Sequence, residues 1–298
     1  MMKIRRVAAY GVCRTADGSV LLTRGSELSA FPGAWSLPGG GVEHGEHPAD
    51  AVVRELAEET GLVVTVTGVR AVVADVVALP DGPLEHTDRI LYDVTVTGGE
   101  LRPEIGGTSD LAEWVTPVAT AGLPLLPFTA RALGVRSTAP DEETPLSDEP
   151  VHRSDRVQRF GAYGLVTDPA GRILLARITR GYPGGGRWHL PGGGTDFGET
   201  PERGLLRELY EETSQRGRIA GLLTVGHRYD PATLGPEGVP MDWHVIRVVY
   251  RTEVDEPVIA AVTEVAGGST DRASWFTPGE VAELPLTELA QEALVQAG

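Results

Sequence analysis

Residues 189–215 read HLPGGGTDFGETPERGLLRELYEETSQ, and residues 36–62 read SLPGGGVEHGEHPADAVVRELAEETGL. Each string opens on a proline and three glycines and runs into a stretch dense in glutamate. Pro48 and Pro201 suit the first turn of a helix, where a missing N–H costs nothing, so helices are expected over about Pro48–Thr60 and Pro201–Thr213. On the first helix Glu55, Glu58 and Glu59 fall at i, i+3 and i+4 and project from one face. Glu208, Glu211 and Glu212 repeat the arrangement. Two unpaired carboxylates about 4 Å apart repel by roughly 1 kcal/mol in water and roughly 4 at intermediate dielectric. A hard divalent cation, Mg²⁺ above all, wants such oxygens and commonly shares them with substrate phosphates. A lone cluster of this kind is usually just a solvated acidic face. Here it arrives twice with the same surround, which favours a metal-bound diphosphate.

The two strings belong to a longer repeat. Tyr10 and Tyr163, Trp35 and Trp188, Glu46 and Glu199, and Arg54 and Arg207 are all 153 apart (163 − 10, 188 − 35, 199 − 46, 207 − 54). Pairing His86 with His244 needs five further residues in the second copy (244 − 86 = 158), and Trp114 with Trp275 three more (275 − 114 = 161). The expected division is a first module over 1–136, a linker over 137–156 and a second module over 157–298. The linker, STAPDEETPLSDEPVHRSDR, carries six acids, two arginines and three prolines, too little apolar surface to offset its ordering entropy. Each module reads as α+β with mixed sheets. Alternating strands such as RVAAYGVCR and RFGAYGLVT come first, then the glycine loop, the glutamate helix, further strands and a closing apolar helix.

The string Gly40-x5-Glu46-x7-Arg54-Glu55-Leu56-x-Glu58-Glu59-x-Gly61-Leu62 resembles the signature of the Nudix hydrolases, and Gly193, Glu199 and Arg207-Glu208 repeat it. The resemblance covers both modules and not the linker. It implies two α/β/α sandwiches, each a mixed sheet between helices. It also implies hydrolysis of a phosphoric anhydride in a nucleoside diphosphate linked to another moiety, a nucleotide or nucleotide sugar, with Mg²⁺ or Mn²⁺. By position, Glu58 and Glu59 would be metal ligands, Glu55 a ligand or the base that activates water, and the Gly39 carbonyl part of the metal shell. Glu46 would pair with Arg54 to hold the loop to the helix. Gly192, Glu199, Arg207, Glu208, Glu211 and Glu212 would take the matching parts. An intramolecular pseudo-dimer or a homodimer is a further implication, since many Nudix domains pair.

The second copy departs from the signature at one place. Ser214 stands for the glycine and Gln215 for the apolar residue. A serine forced into a left-handed helix exit costs on the order of 1–2 kcal/mol, with Gly217 a possible later turn. That penalty removes no ligand, so metal binding is expected in both modules, with activity better secured in the first. The rival reading makes one module, more readily the C-terminal one, a non-catalytic nucleotide sensor or a dimerisation module.

Weaker signals surround the motif. Trp35, Trp188, His86 and His244 are candidate substrate contacts, although the tryptophans read more readily as packing under the loop. Trp114 and Trp275 look like core anchors. Glu100, Glu104, Asp110, Glu264 and Asp271 include the candidates for one more carboxylate outside the motif. YDPATLGPEGVPMDW, residues 229–243, reads as a longer loop than its counterpart and as a source of different specificity. Pro231, sixteen residues past the motif (231 − 215 = 16), resembles the spacing of the ADP-ribose pyrophosphatase subgroup.

Composition narrows the partners. A formal charge of −16 disfavours a nucleic-acid or anionic-membrane surface. Cys13 is the single cysteine, so no intrachain disulfide forms and a reducing, cytoplasmic setting is expected. The apolar segment from Val7 to Cys13 is stopped by Arg14 and reads as a strand, not a targeting signal. No P-loop string occurs, and the only lysine, Lys3, is far from any glycine loop. A phosphate-transferring ATPase finds no support.

Overall fold

The computed structural model describes residues 2–79, 82–135, 156–234, 240–263 and 269–297. The chain divides into two compact units, Met1–His152 and Arg153–Gly298. Residues 137–155 of the expected linker, and Glu264, lie outside the described residues.

The first unit holds β1 (Lys3–Cys13), β2 (Val20–Gly25), β3 (Trp35–Ser36), β4 (Gly39–Gly41), α1 (Pro48–Thr60), β5 (Leu62–Ala78), β6 (Leu84–Gly99), β7 (Ser109–Val115), α2 (Pro117–Thr120) and α3 (Pro127–Leu133). The second repeats that order as β8 (Arg156–Thr167), β9 (Ile173–Ile178), β10 (Trp188–His189), β11 (Gly192–Gly194), α4 (Pro201–Thr213), β12 (Arg218–Leu234), β13 (Pro240–Glu253), β14 (Thr270–Phe276), α5 (Pro278–Val281) and α6 (Glu288–Ala297). In the first unit the strands run β4-β1-β6-β5, with a smaller sheet β3-β2-β7; β1 and β6 are parallel and the other pairs antiparallel. In the second the same strands join into one seven-stranded sheet, because Val166 and Thr167 of β8 pair with Leu174 and Ile173 of β9.

Period-two alternation along β1 places helices on both faces of the sheet. Tyr10 meets Phe128 of α3, ring centroids 4.6 Å apart. Gly11 points the other way, where a Cβ would lie 3.0 Å from Leu56 of α1. Leu56 is fully buried, which contributes roughly 1.5–3 kcal/mol. Tyr163 and Gly164 repeat the division, with α6 residues Leu289 and Ala290 in the cluster beside Tyr163 and Leu205 of α4 near Gly164. The α+β, mixed-sheet sandwich is therefore present in each unit.

Register confirms the repeat beyond the motif. His86 pairs with Arg5 and His244 with Gln158 (5 + 153 = 158), while Val76 faces His86 and Tyr229 faces His244 (76 + 153 = 229). The five extra residues therefore lie in the hairpin between β12 and β13. Within residues 229–243, 229–234 are strand β12 and 240–243 strand β13, where a loop was expected, and 235–239 lie outside the described residues. Pro231 sits at a register irregularity between Asp230 and Thr233, a place where a missing N–H is tolerated. The tryptophans differ in depth, with Trp275 packed against a core cluster. Trp35 and Trp188 are buried core residues, whereas Trp114 and Trp275 are only half-buried. Among the described residues no helix is long and apolar enough to cross a membrane.

Candidate active site

α1 begins with His47, whose Nδ1 accepts from the Ala49 N–H at 3.0 Å, and α4 with Thr200, whose hydroxyl accepts from Arg203 N–H. These caps and the following prolines start both helices where the sequence places them. The preceding glycine strand is held tightly against the sheet. Gly39 has φ 139° and Gly192 φ 132°, and a Cβ on either would fall 2.2 Å from the carbonyl oxygen of Ala9 or Ala162. Only glycine allows that approach.

The arginine of the motif organises the loop. Arg54 donates from Nε and Nη2 to the two oxygens of Glu46, both at 2.9 Å, and from Nη2 to the Gly41 carbonyl at 3.0 Å. Its Nη1 donates to Glu55 at 2.8 Å and Glu58 at 3.3 Å. Arg207 makes the same five bonds to Glu199 (twice), Gly194, Glu208 and Glu211. Paired first with Glu46, Arg54 stays charged far above its ordinary range.

The three carboxylates occupy three environments. Glu58 and Glu211 reach solvent, with side chains 52% and 41% exposed. Glu55 is half-buried over Gly40, where a Cβ would lie 2.6 Å from its Oε2; Glu208 sits over Gly193 in the same way. Burial raises the Glu55 pKa, and Arg54 opposes the rise. Glu59 is buried, accepting from the Gly39 N–H at 2.9 Å and the Ser109 hydroxyl at 2.8 Å. Burial raises its pKa to about 7, the two donors lower it, and Glu55 and Glu104 raise it further. Glu212 repeats this setting, accepting from Gly192 N–H at 2.9 Å and from the Thr270 hydroxyl.

Among the described residues, no three His, Cys, Asp or Glu side chains stand together as a ready-made metal group. Glu59 turns inward, and Arg54 draws Glu55 and Glu58 to itself. The donor set nevertheless fits a hard divalent cation. It is all oxygen, carries three carboxylates at helical spacing, and depends on glycines whose missing Cβ atoms leave room for Glu55 and Glu208.

Sequence reasoning missed Ser109 and Thr270, the hydroxyls that orient Glu59 and Glu212. Their separation, 270 − 109 = 161, equals that of Trp114 and Trp275, so the repeat held the signal. Among the extra carboxylates, Glu104 is the one beside the site. It accepts from Ser109 N–H at 3.1 Å and raises the Glu59 pKa. Asp110 and Asp271 instead pair with Arg24 and Arg177, both at 2.8 Å, and Glu100 is exposed.

The four candidate substrate contacts are corrected. Trp35 and Trp188 are packed in the core, and His86 and His244 are 0% exposed. His86 lies 3.5 Å from Asp88, and His244 lies between Gln158 and His227 at 3.2 and 3.1 Å. The alternative turn at Gly217 is also corrected: Ser214 itself takes the left-handed conformation, φ 61°, ψ 15°. Its hydroxyl donates to the Ala261 carbonyl at 2.8 Å. Gln215 is buried, donating to the carbonyls of Thr213 and Val258 and accepting from Val258 N–H.

The chain is similar to a MutT-like protein of Streptomyces ambofaciens, 32% identical over 120 residues, covering 40% of this chain and 64% of that one. It is similar to an ADP-ribose pyrophosphatase of Methanocaldococcus jannaschii, 40% identical over 97 residues, covering 32% of this chain and 54% of that one. Each match thus spans less than two thirds of the relative's length. Among solved structures, a MutT protein from Methanosarcina mazei Go1 matches at 26% identity and a TM-score of 0.38, covering 45% of this chain and 92% of that one. A family model described as the NUDIX domain matches residues 3–133 and again residues 157–296. The chain belongs to the NUDIX family, with two copies of the domain.

Proposed function

We propose that both modules hydrolyse the pyrophosphate bond of a nucleoside diphosphate linked to another group, with Mg²⁺ or Mn²⁺. The observation that carries this reading is the duplicated carboxylate geometry. Each module has one exposed, one half-buried and one buried glutamate around a glycine strand, with the same arginine bonds. Neither copy has lost a member. The family membership and the ADP-ribose pyrophosphatase similarity support the same chemistry.

In this reading Glu58 and Glu59, with the Gly39 carbonyl, hold the cation in the first module, and Glu55 is a further ligand or the general base. Glu211, Glu212, Gly192 and Glu208 do so in the second. The bound cation would acidify water and offset charge on the diphosphate oxygens. The protein's own groups position the rest. Arg54 fixes one oxygen of Glu55 and leaves the other free to take the proton of the attacking water. Ser109 and Gly39 N–H fix the Glu59 carboxylate. Water's oxygen bonds to phosphorus as the bridging P–O bond breaks, and the leaving phosphate departs as the anion. The ordered, hydrogen-bonded exit of α4 supports catalysis in the C-terminal module as well.

The test is a panel of nucleoside triphosphates, ADP-ribose, dinucleoside polyphosphates and sugar nucleotides, assayed with Glu59→Gln, Glu212→Gln and the double variant. Each single variant should silence one module by about 100-fold or more, consistent with losing a stabiliser of developing charge, and the double variant should be inert. Full activity in the double variant would overturn the assignment.

A further inference from the structure

The sheet face that carries Tyr10 and Tyr163 differs between the modules in a way the metal motif does not explain. In the first, Arg89 of β6 is closed in on every side. It is buried at 8% exposure, with Ala8 and Val73 as its cross-strand neighbours. Arg89 donates to Asp75 at 2.8 Å and to the Tyr10 hydroxyl at 3.0 Å, and its guanidinium lies 4.4 Å from the Phe128 ring centroid. Arg131 of α3 reaches the same Asp75 at 3.8 Å. The charge is neutralised inside the protein.

Arg247 of β13 occupies the matching place in the second module, and its surroundings are reversed. Its cross-strand neighbours are Gly161 and Gly226. A Cβ on Gly226 would meet nothing within 4 Å, and the Tyr163 ring folds over Gly161, its hydroxyl 3.2 Å from where a Cβ would stand. Asp75 is replaced by Arg228 (75 + 153 = 228), which shares the face of Arg247 because Gly226 pairs with Arg247 and lies two residues away. Phe128 is replaced by the smaller Leu289 (128 + 161 = 289). Arg247 Nε is buried with no hydrogen-bond partner among the described residues. Burial lowers the Arg247 pKa, and Arg228 lowers it further; Tyr163, Glu292 and Glu288 oppose this. The two glutamates are exposed on α6 and offset part of the field. A half-buried guanidinium with an unused donor beside a second arginine, its counter-charge moved to the exposed Glu292 that stands where the first module has Arg131 (131 + 161 = 292), is costly to maintain unless an anion completes it.

The position relative to the motif gives the anion its identity. Gly161, the cross-strand neighbour of Arg247, pairs on its other side with Gly194 of the glycine strand, next to Gly193, over which Glu208 sits. We propose that Arg247 and Arg228 form a phosphate-binding subsite beside the open space at Gly226, present in the C-terminal module and closed in the N-terminal one. Arg247 supplies directed N–H donors and Arg228 a second guanidinium at the open rim. The placement beside a pyrophosphatase centre rests on the functional reading above; phosphate binding itself does not.

The experiment uses the full chain. Inorganic phosphate is titrated calorimetrically in the presence of a chelator, with the wild type, Arg228→Asp, which installs the N-terminal module's residue at an exposed position, and Arg247→Met. Thermal melts report whether each variant folds. The wild type should bind phosphate, and either variant should weaken binding tenfold or more. Absent binding by the wild type, or binding unchanged in a folded Arg228→Asp protein, would overturn the subsite. A second arm sets Arg228→Asp in a Glu59→Gln background, which isolates the C-terminal module. A KM raised at least tenfold for a nucleoside triphosphate but not for ADP-ribose supports the subsite and makes the phosphate the substrate's own; phosphate binding without that KM change supports it as a site for free phosphate. Loss of phosphate binding alongside unimpaired hydrolysis by the Glu59→Gln, Glu212→Gln double variant would sink the pyrophosphatase assignment and leave the subsite standing.

Discussion

The two glutamate helices leave their last turns differently, although both do so through a left-handed residue. α1 exits on Gly61, φ 72°, where a Cβ would fall 2.5 Å from the Glu100 carbonyl oxygen. α4 exits on Ser214, φ 61°. The returning segment is bound there by Ala261 N–H to the Thr213 carbonyl at 3.2 Å and Thr263 N–H to the Glu211 carbonyl at 2.8 Å. The serine hydroxyl and the buried Gln215 amide then tie that segment down. A motif position that breaks the pattern is thus not decay when tertiary hydrogen bonds use the new side chain. Glycine is demanded at 61 by crowding that is relieved at 214.

The largest expected effects are electrostatic, and two of them run in opposite senses. Burial raises the Glu59 pKa to about 7 from its ordinary 4.5. The folded chain therefore binds this proton more tightly than the unfolded chain. The resulting stability is complete below about pH 4.5 and is lost as pH rises to about 7, on the order of 3 kcal/mol. In chelator, the denaturation midpoint of the wild type should fall across that window relative to Glu59→Gln. In the C-terminal module His189, where the N-terminal module has Ser36 (36 + 153 = 189), works in the opposite sense. Burial lowers its pKa to about 4 from 6.5, so its contribution is present above about pH 6.5 and lost as pH falls toward 4. His189→Ser should remove that acid-side loss. Identical pH slopes in wild type and both variants would break the contrast.

A smaller effect tests the α4 exit itself. Gln215→Leu restores the N-terminal module's residue but removes the partners of Val258 N–H and the Val258 carbonyl, and leaves the Thr213 carbonyl only its bond from Ala261. The expected cost is about 2 kcal/mol, read as a lower denaturation midpoint; a gain in stability would mean the hydrogen bonds do not anchor the segment. The smallest effect is at Ser214. Ser214→Ala keeps the strained backbone and loses the bond to Ala261, costing about 1 kcal/mol. Ser214→Gly loses the bond but relieves the strain, and should come out close to neutral. Equal losses for alanine and glycine would remove strain from the account.

Much of this architecture was legible in the chain. The constant spacing of 153 fixed the repeat, and proline before the apolar-and-acidic pattern fixed both helices at their observed ends. Helical periodicity placed Glu55, Glu58 and Glu59 on one face. These features are local, governed by residues within a turn or two of one another. Residues 229–234 and 240–243 were read as loop because Pro231 and Pro240 are turn signals, whereas cross-strand pairing between β12 and β13 overrode them. Burial of His86 and His244 was hidden because a histidine's environment comes from the strands beside it.

The sequence by itself therefore determined that there are two domains, which family they join and which glutamates cluster. Only the tertiary structure decided that Ser109 and Thr270 orient the buried carboxylates, that Glu104 lies beside Glu59, and that Ser214 holds its turn without glycine. It alone set Arg89 in a closed, neutralised site and Arg247 beside the open space at Gly226. The reason is physical: pKa, burial and hydrogen-bond satisfaction are properties of neighbours in space, and residues 50 or more positions apart, such as Glu59 and Ser109, become neighbours only when the sheet forms.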